Sequence, residues 1–182
     1  QPQPPADLPM TLKLRNGTWI KLQDRRALDG DLVSLAIDIT EQMRIWAAID
    51  VLPDGFVLFD REERLLTCNQ RYREMFPDSA PLMQPGVSFE ALLRHGLGHG
   101  HINEAVGREE DWLADRLKAF RAADTIAENT LAGGRVILES DHVTPDGGRV
   151  GLRTDITQLR DQQTALEAAR KPAAPANRAK SA

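Results

Sequence analysis

The 182-residue sequence has a single cysteine, Cys68. A disulfide needs two, so no internal disulfide framework holds this chain together, and a reducing compartment suits it. No apolar run reaches the roughly 20 residues that cross a bilayer as a helix, and no secretory signal opens the sequence. These absences argue against membrane insertion of the segment and give the cytoplasm as the expected location. Excess basic charge is also missing. The formal net charge is −4, whereas non-specific nucleic-acid binding needs clustered positive charge. There are no paired carboxylates, nucleophile motif, glycine-rich phosphate loop or metal-spaced cysteines. The chain is therefore expected to carry no catalytic residues of its own.

What is present can build a core. Hydrophobic residues make up 41% of the chain, an ordinary share for a globular protein, and the length allows one domain with flanking segments. Residues 1–9 are rich in Pro and Gln and read as disordered. So does the Ala/Pro-rich, basic tail at residues 172–182.

An internal repeat organises the rest. Aligned without gaps, Leu14–Thr40 and Leu131–Thr157 share about eleven of twenty-seven positions, where chance gives one or two. Among them are Gly17/Gly134, Ile20/Ile137, Asp24/Asp141, Val33/Val150, Leu35/Leu152 and the run Asp38-Ile39-Thr40/Asp155-Ile156-Thr157. Each copy reads as strands broken by hairpin turns, at Asn16-Gly17 and Asp29-Gly30 in the first and at Gly133-Gly134 and Pro145–Gly148 in the second. Each copy then passes through Asp-Ile-Thr into a helical pattern. The spacing of Asp38 to Glu41, and of Asp155 to Gln158, is that of a capping box, in which the Asp accepts from free backbone N–H groups of the new helix.

Between the copies, strands are expected at Phe56–Asp60 and Leu65–Cys68, and helices at Asn69–Phe76, Phe89–His95 and Glu109–Ala122. The last has Trp112, Leu113, Leu117 and Phe120 on one face. The resulting order is β-β-α-α-α-β-β-β.

That order, with Leu52-Pro53-Asp54-Gly55-Phe56, Cys68-Asn69-Gln70-Arg71-Tyr72, Gly107–Leu113 and Thr144–Gly148 running on to Asp155-Ile156-Thr157, resembles the PAS family. The likeness is to the subtype found in bacterial hybrid sensor histidine kinases. It implies an α+β fold: a five-stranded antiparallel sheet with helices on one face, flanked by linker helices. It also implies a division of the chain. Residues 10–40 would be the C-terminal strands of a preceding PAS domain, 41–52 a linker helix, 53–157 a complete PAS domain and 158–171 an output helix. The tail is similar to the stretch before the phospho-acceptor helix of such kinases, so the chain reads as cut just short of it. Pro172 and Pro175 interrupt the helix that family members continue here.

The function implied is a sensory and relay module in two-component phosphorelay signalling, upstream of kinase domains in a longer protein. The different-class alternative is a dimerisation or spacer module that senses nothing. The residues that would transmit the signal are Asp38, Thr40, Asp155 and Thr157, and plain helix capping is the simpler use of the same residues. Family pockets form between sheet and helices, which gives Phe56, Leu58, Tyr72, Leu92, Trp112 and Leu138 as wall candidates. No cofactor is the expectation, with haem or a small-molecule ligand as alternatives. His95, His99 and His101 are the only metal or haem candidates. The glycines among them would loosen that segment into a loop with solvated histidines. Cys68 lies at a strand end without the flavin-adduct motif, so a flavin photoadduct is not expected. A three-stranded half-sheet cannot bury the apolar face of Ile20, Leu22, Val33, Leu35 and Ile37 alone, so it is expected to pack on a second chain or on the main domain, and a homodimer through the N-terminal strands and linker helices is the expected form.

Overall fold

The computed structural model describes residues 9–27, 30–100, 102–122 and 124–170. His101, the proline-containing tail and all but the last residue of the Pro/Gln-rich start lie outside them. The chain divides into two compact units after Val51.

In the first unit, β1 (Met10–Lys13), β2 (Trp19–Arg26) and β3 (Leu32–Asp38) form an antiparallel sheet of order β1-β2-β3, followed by α1 (Thr40–Asp50). Every residue of β3 is exposed, with Leu35 at 54% and Ile37 at 41%. Three strands give this sheet no second layer for its apolar side chains to enter.

The second unit holds β4 (Gly55–Phe59), β5 (Leu65–Cys68), α2 (Gln70–Met75), α3 (Phe89–Gly98), α4 (Glu109–Arg121), β6 (Thr125–Thr130), β7 (Val136–Val143), β8 (Arg149–Asp155) and α5 (Thr157–Arg170), with short 3₁₀ turns at Ala80–Leu82 and Asn103–Ala105. The five strands form one antiparallel sheet of order β5-β4-β8-β7-β6. The fold is α+β, with the element order expected from the sequence. The two copies of the repeat also share strand register, since Ile20 stands opposite Asp38 and Ile137 opposite Asp155.

Strand alternation assigns the two faces of the larger sheet. Val57 and Phe59 of β4, and Ile137, Glu139 and Asp141 of β7, are buried, while the residues between them are half-exposed. Phe59, Phe89 and Phe120 meet at the centre of the core. The rings of Phe89 and Phe120 stack at 4.0 Å, and Phe59 approaches both edge-on. Leu113, Leu117 and Phe120 of α4 complete this layer, as their 3.6-residue spacing predicts.

Two side-chain caps start the helices that cover the sheet. Asn69 accepts from the backbone N–H of Tyr72 at 2.9 Å and also from that of Phe56 at 2.8 Å, so one carboxamide joins α2 to β4. Gly55 allows that close approach: a Cβ there would lie 3.1 Å from the Tyr72 Cα and 3.0 Å from the Met75 sulfur. Ser88 caps α3 by accepting from the N–H of Ala91.

Candidate functional site

Between the helices and the inner sheet face lies a cavity with about 60 Å³ of water-sized space. Its wall is mixed. Phe76, Met83, Phe89, Leu92 and Trp112 contribute apolar surface, and Tyr72, Ser79, Arg116, Asn129, Glu139 and Arg153 contribute polar groups. Three of the six wall residues expected from the sequence, Tyr72, Leu92 and Trp112, line it. Phe56, Leu58 and Leu138 do not. They fall on the half-exposed phase of β4 and β7, one residue out of step with Val57, Phe59 and Glu139, and a one-residue step moves a strand side chain to the other face.

The charged side of the wall, Arg116, Glu139 and Arg153, forms a cluster of four with Asp141, which lies outside the lining. Arg153 faces Glu139 directly across β7 and β8. Its Nη1 donates to Asp141 at 2.8 Å, and its Nε lies 3.6 Å from Glu139. Arg116 on α4 donates through Nη2 to Glu139 at 2.7 Å and to Asp141 at 2.8 Å. Asp141 stands opposite Gly151, and that glycine is required. A Cβ on it would lie 2.7 Å from the Asp141 Oδ1 and 2.9 Å from the Arg153 Nη1. The missing side chain is the space through which the guanidinium reaches its diagonal partner.

Arg153 and Asp141 are almost fully buried, with side-chain exposures of 2% and 3%. Burial works against the Asp141 charge, yet the two guanidinium groups outweigh it and hold the carboxyl below its ordinary range. Burial likewise opposes the Arg153 charge, and Glu139 and Asp141 raise its pKa above the ordinary arginine range. Beside them, burial pushes the Tyr72 hydroxyl up to about 12.

The junction to α5 follows on the same strands. The Asp155 Oδ1 accepts from the Thr157 hydroxyl at 2.6 Å and from the Thr157 backbone N–H at 3.1 Å. The Thr157 Oγ1 in turn accepts from the Val136 backbone N–H at 3.0 Å, at the first residue of β7. The first unit repeats this network atom for atom. Asp38 accepts from the Thr40 hydroxyl and N–H at 2.6 and 2.9 Å, and the Thr40 Oγ1 accepts from the Trp19 N–H at 2.9 Å.

The expected capping box is therefore not what the Asp residues make. Each Asp bonds two residues on, in an Asx turn, and each Thr hydroxyl bridges the start of a helix to the neighbouring strand. The bond from the Thr157 hydroxyl is the main reason the Asp155 carboxyl lies below its usual range.

His95 and His99 are held rather than loose, and His101 lies outside the described residues. α3 runs on through Gly96 to Gly98, so the glycines do not open a loop there. His95 Nε2 lies 3.0 Å from the Asp78 carbonyl, and His99 Nδ1 lies 2.8 Å from the His95 carbonyl. Among the described residues no group of three His, Cys, Asp or Glu side chains could hold a metal. The cavity is also far below the roughly 300–1,000 Å³ of pockets for drug-sized ligands, so a haem does not fit it as it stands. Cys68 is buried at the end of β5. No helix among the described residues is long and apolar enough to cross a membrane.

The four-residue ionic cluster was missed by sequence reasoning. The signal existed in the register. The turn at Pro145–Gly148 pairs His142 with Val150, which sets Glu139 against Arg153 and Asp141 against Gly151.

The family comparison agrees with this architecture. The family model described as PAS fold matches residues 49–164. The non-motile and phage-resistance protein of Caulobacter vibrioides is 30% identical over 146 residues, an alignment covering 74% of this chain. The chain spans only 16% of that curated relative's length. Among solved structures, a domain of the sensory box sensor histidine kinase/response regulator from Geobacter sulfurreducens is similar at 18% identity. That match covers 64% of this chain and 95% of that one, with a TM-score of 0.42. The PAS domain of Bordetella pertussis BvgS is similar at 22% identity, covering 71% of this chain and 98% of that one, with a TM-score of 0.42. With the family model matching well over half of its length, on a five-stranded antiparallel sheet with helices packed against it, the chain belongs to the PAS-fold family.

Proposed function

We propose that this chain is a sensory and signal-relay module of a bacterial hybrid histidine kinase, acting in two-component phosphorelay signalling in the cytoplasm. One observation carries the reading. The same two strands, β7 and β8, hold both the charged wall of the cavity and the junction to α5. Glu139 lies three residues along β7 from Val136, whose N–H bonds to Thr157, and Arg153 lies two residues before Asp155 on β8. An occupant that displaces Arg153 or Glu139 pulls on the strands whose ends hold the first turn of α5. Two states separated by a few kcal/mol suffice for a relay of this kind.

Asp155 and Thr157 are the transmission residues of the second unit. Asp38 and Thr40 do the same work in the first, which we read as the C-terminal strands of a preceding PAS domain. The duplicated hydrogen-bond network supports this. The exposed apolar side chains of β3 and α1 support a homodimer through the N-terminal strands and that helix. A spacer that senses nothing needs no cavity, and the mixed polar and apolar lining favours sensing.

The test joins α5 in helical register to the dimerisation helix of a histidine kinase core and compares autophosphorylation in the wild-type fusion and in Asp155→Ala and Thr157→Val fusions. The reading expects a change of several-fold in both variants. Equal activity in all three refutes it. Light scattering on the isolated chain tests the dimer, and a strict monomer argues against that part.

A further inference from the structure

The cavity is lined by three neutral polar side chains that make no side-chain hydrogen bond among the described residues. Tyr72, Ser79 and Asn129 are exposed by only 6%, 5% and 9%, and all three line the cavity. The backbone N–H of Tyr72 bonds to Asn69 and that of Ser79 to the Phe76 carbonyl. The phenol, the hydroxyl and the carboxamide make no side-chain hydrogen bond to any described residue. Among the described residues no fully buried side-chain nitrogen or oxygen lacks a partner, so these three groups face the water-sized space of the cavity, where water or a ligand satisfies them.

The charged groups beside them behave differently. Arg116 and Arg153 are matched by Glu139 and Asp141, two against two, and are already bonded to one another. A charged occupant would have to break that cluster or enter without a counter-ion, and both are costly at low dielectric. The remaining wall is apolar, with Leu92, Phe76 and Trp112 among its members.

We infer that the cavity binds a small uncharged molecule that carries one amide, hydroxyl or carbonyl group on an apolar frame, and that Tyr72, Ser79 and Asn129 are its hydrogen-bonding contacts. The inference rests on the sensory reading of this module and names the chemistry sensed. The volume of about 60 Å³ limits the occupant to a few heavy atoms. Asn129 offers both a donor and an acceptor, Ser79 offers either, and Tyr72 offers a donor across the whole neutral range. A molecule with one polar end meets all three while its apolar end covers Leu92 and Trp112. The four-residue ionic cluster is left intact and borders the bound molecule.

The test is an amide NMR titration of the full chain with three probes of similar size: propanamide, propionate and propylammonium. They are taken into the millimolar range that so few atoms can reach. Propanamide is expected to give saturable shifts centred on Tyr72, Ser79 and Asn129, and to bind about fivefold or more tightly than either ion. Gly96→Ala checks the location. A Cβ at Gly96 meets only the Ser79 Oγ, at the ordinary contact distance of 3.8 Å, and the change removes a glycine from the interior of α3. It should weaken propanamide binding by about threefold or more, the cost of losing part of a contact this small, at an unchanged or higher Tm. Asn129→Leu should weaken binding further.

Tighter binding of either ion overturns the inference. So does the absence of saturable shifts with all three probes, which means that the cavity holds water only. Unweakened propanamide binding in both variants overturns it as well. None of these results touches the relay reading, which is measured in the kinase fusion with no probe added.

Discussion

Replacing Thr157 with valine removes one oxygen and keeps the shape of the side chain, so its effect isolates the hydrogen bonds at the junction. Two are lost: the one the hydroxyl accepts from Val136 N–H at 3.0 Å and the one it donates to Asp155 at 2.6 Å. The bond from the Thr157 backbone N–H to Asp155 remains. Removing one partner strands the other, at about 1–3 kcal/mol for a buried group. Val136 and Thr157 are only partly buried, so water recovers part of the loss and about 1–2 kcal/mol is expected. Since about 1.4 kcal/mol is tenfold in an equilibrium, the Val136 amide should exchange with solvent roughly tenfold faster.

A second readout comes from Asp155. Its carboxyl lies below the ordinary range mainly because the Thr157 hydroxyl donates to it, so its pKa should rise in the valine variant. Thr157→Ser restores the hydroxyl and should reverse both changes. An unchanged Val136 exchange rate in Thr157→Val, with an unchanged Asp155 titration, would refute the bonding assigned to the junction.

Four further outcomes follow from the cavity wall. Arg153→Met leaves two buried carboxylates sharing Arg116 alone and should destabilise the second unit by about 3–5 kcal/mol in chemical denaturation; a loss under about 1 kcal/mol contradicts the buried cluster. Gly151→Ala places a methyl 2.7 Å from the Asp141 Oδ1 and should lower the Tm by several degrees, whereas an unchanged Tm means that the Arg153–Asp141 bond does not run through that space. Tyr72 is the only tyrosine in the chain, so absorbance titration reads it alone. Its ionisation should begin only as the pH nears about 12, with stability falling as pH rises from the unfolded value near 10, and ionisation of folded protein at pH 10 contradicts its burial. Asp141 titrates below its ordinary range, so its contribution is present at neutral pH and lost as pH falls below about 4 through the folded value; Asp141→Asn should flatten that acid limb of the stability curve.

Much of the architecture was legible in the sequence, for physical reasons that can be named. Hairpin turns and helical stripes marked the elements to within a few residues, and α4 shows why: Trp112, Leu113, Leu117 and Phe120 recur at a helical period that no strand could use. The repeat drew attention to Asp155 and Thr157 because the same triplet ends both copies. Their bonding was less legible. A capping box and an Asx turn with a bridging hydroxyl use the same residue types, and only the position of the neighbouring strand separates them.

The cavity wall was half legible. Gly55–Phe59 is apolar at nearly every position, so alternation could not say which phase faced inward. In β7 the inward phase carries Glu139 and Asp141, which hydrophobic reasoning assigns to solvent, and only pairing with Arg116 and Arg153 makes their burial tolerable. Of the glycines after His95, Gly96 is buried inside α3, and the helix ends only at Gly98.

The central claim is that the cavity wall and the root of α5 form one coupled unit, and a double-mutant cycle between Glu139→Gln and Thr157→Val tests it most directly. Glu139 accepts from Arg116 at 2.7 Å, and Thr157 holds the start of the same strand. Stability of the second unit and amide exchange in the first turn of α5 would be measured for both single variants and the double. The account predicts a coupling energy above about 0.5 kcal/mol, together with faster exchange at the root of α5 in Glu139→Gln alone. Effects that add to within about 0.3 kcal/mol, with α5 exchange unchanged by Glu139→Gln, would contradict it.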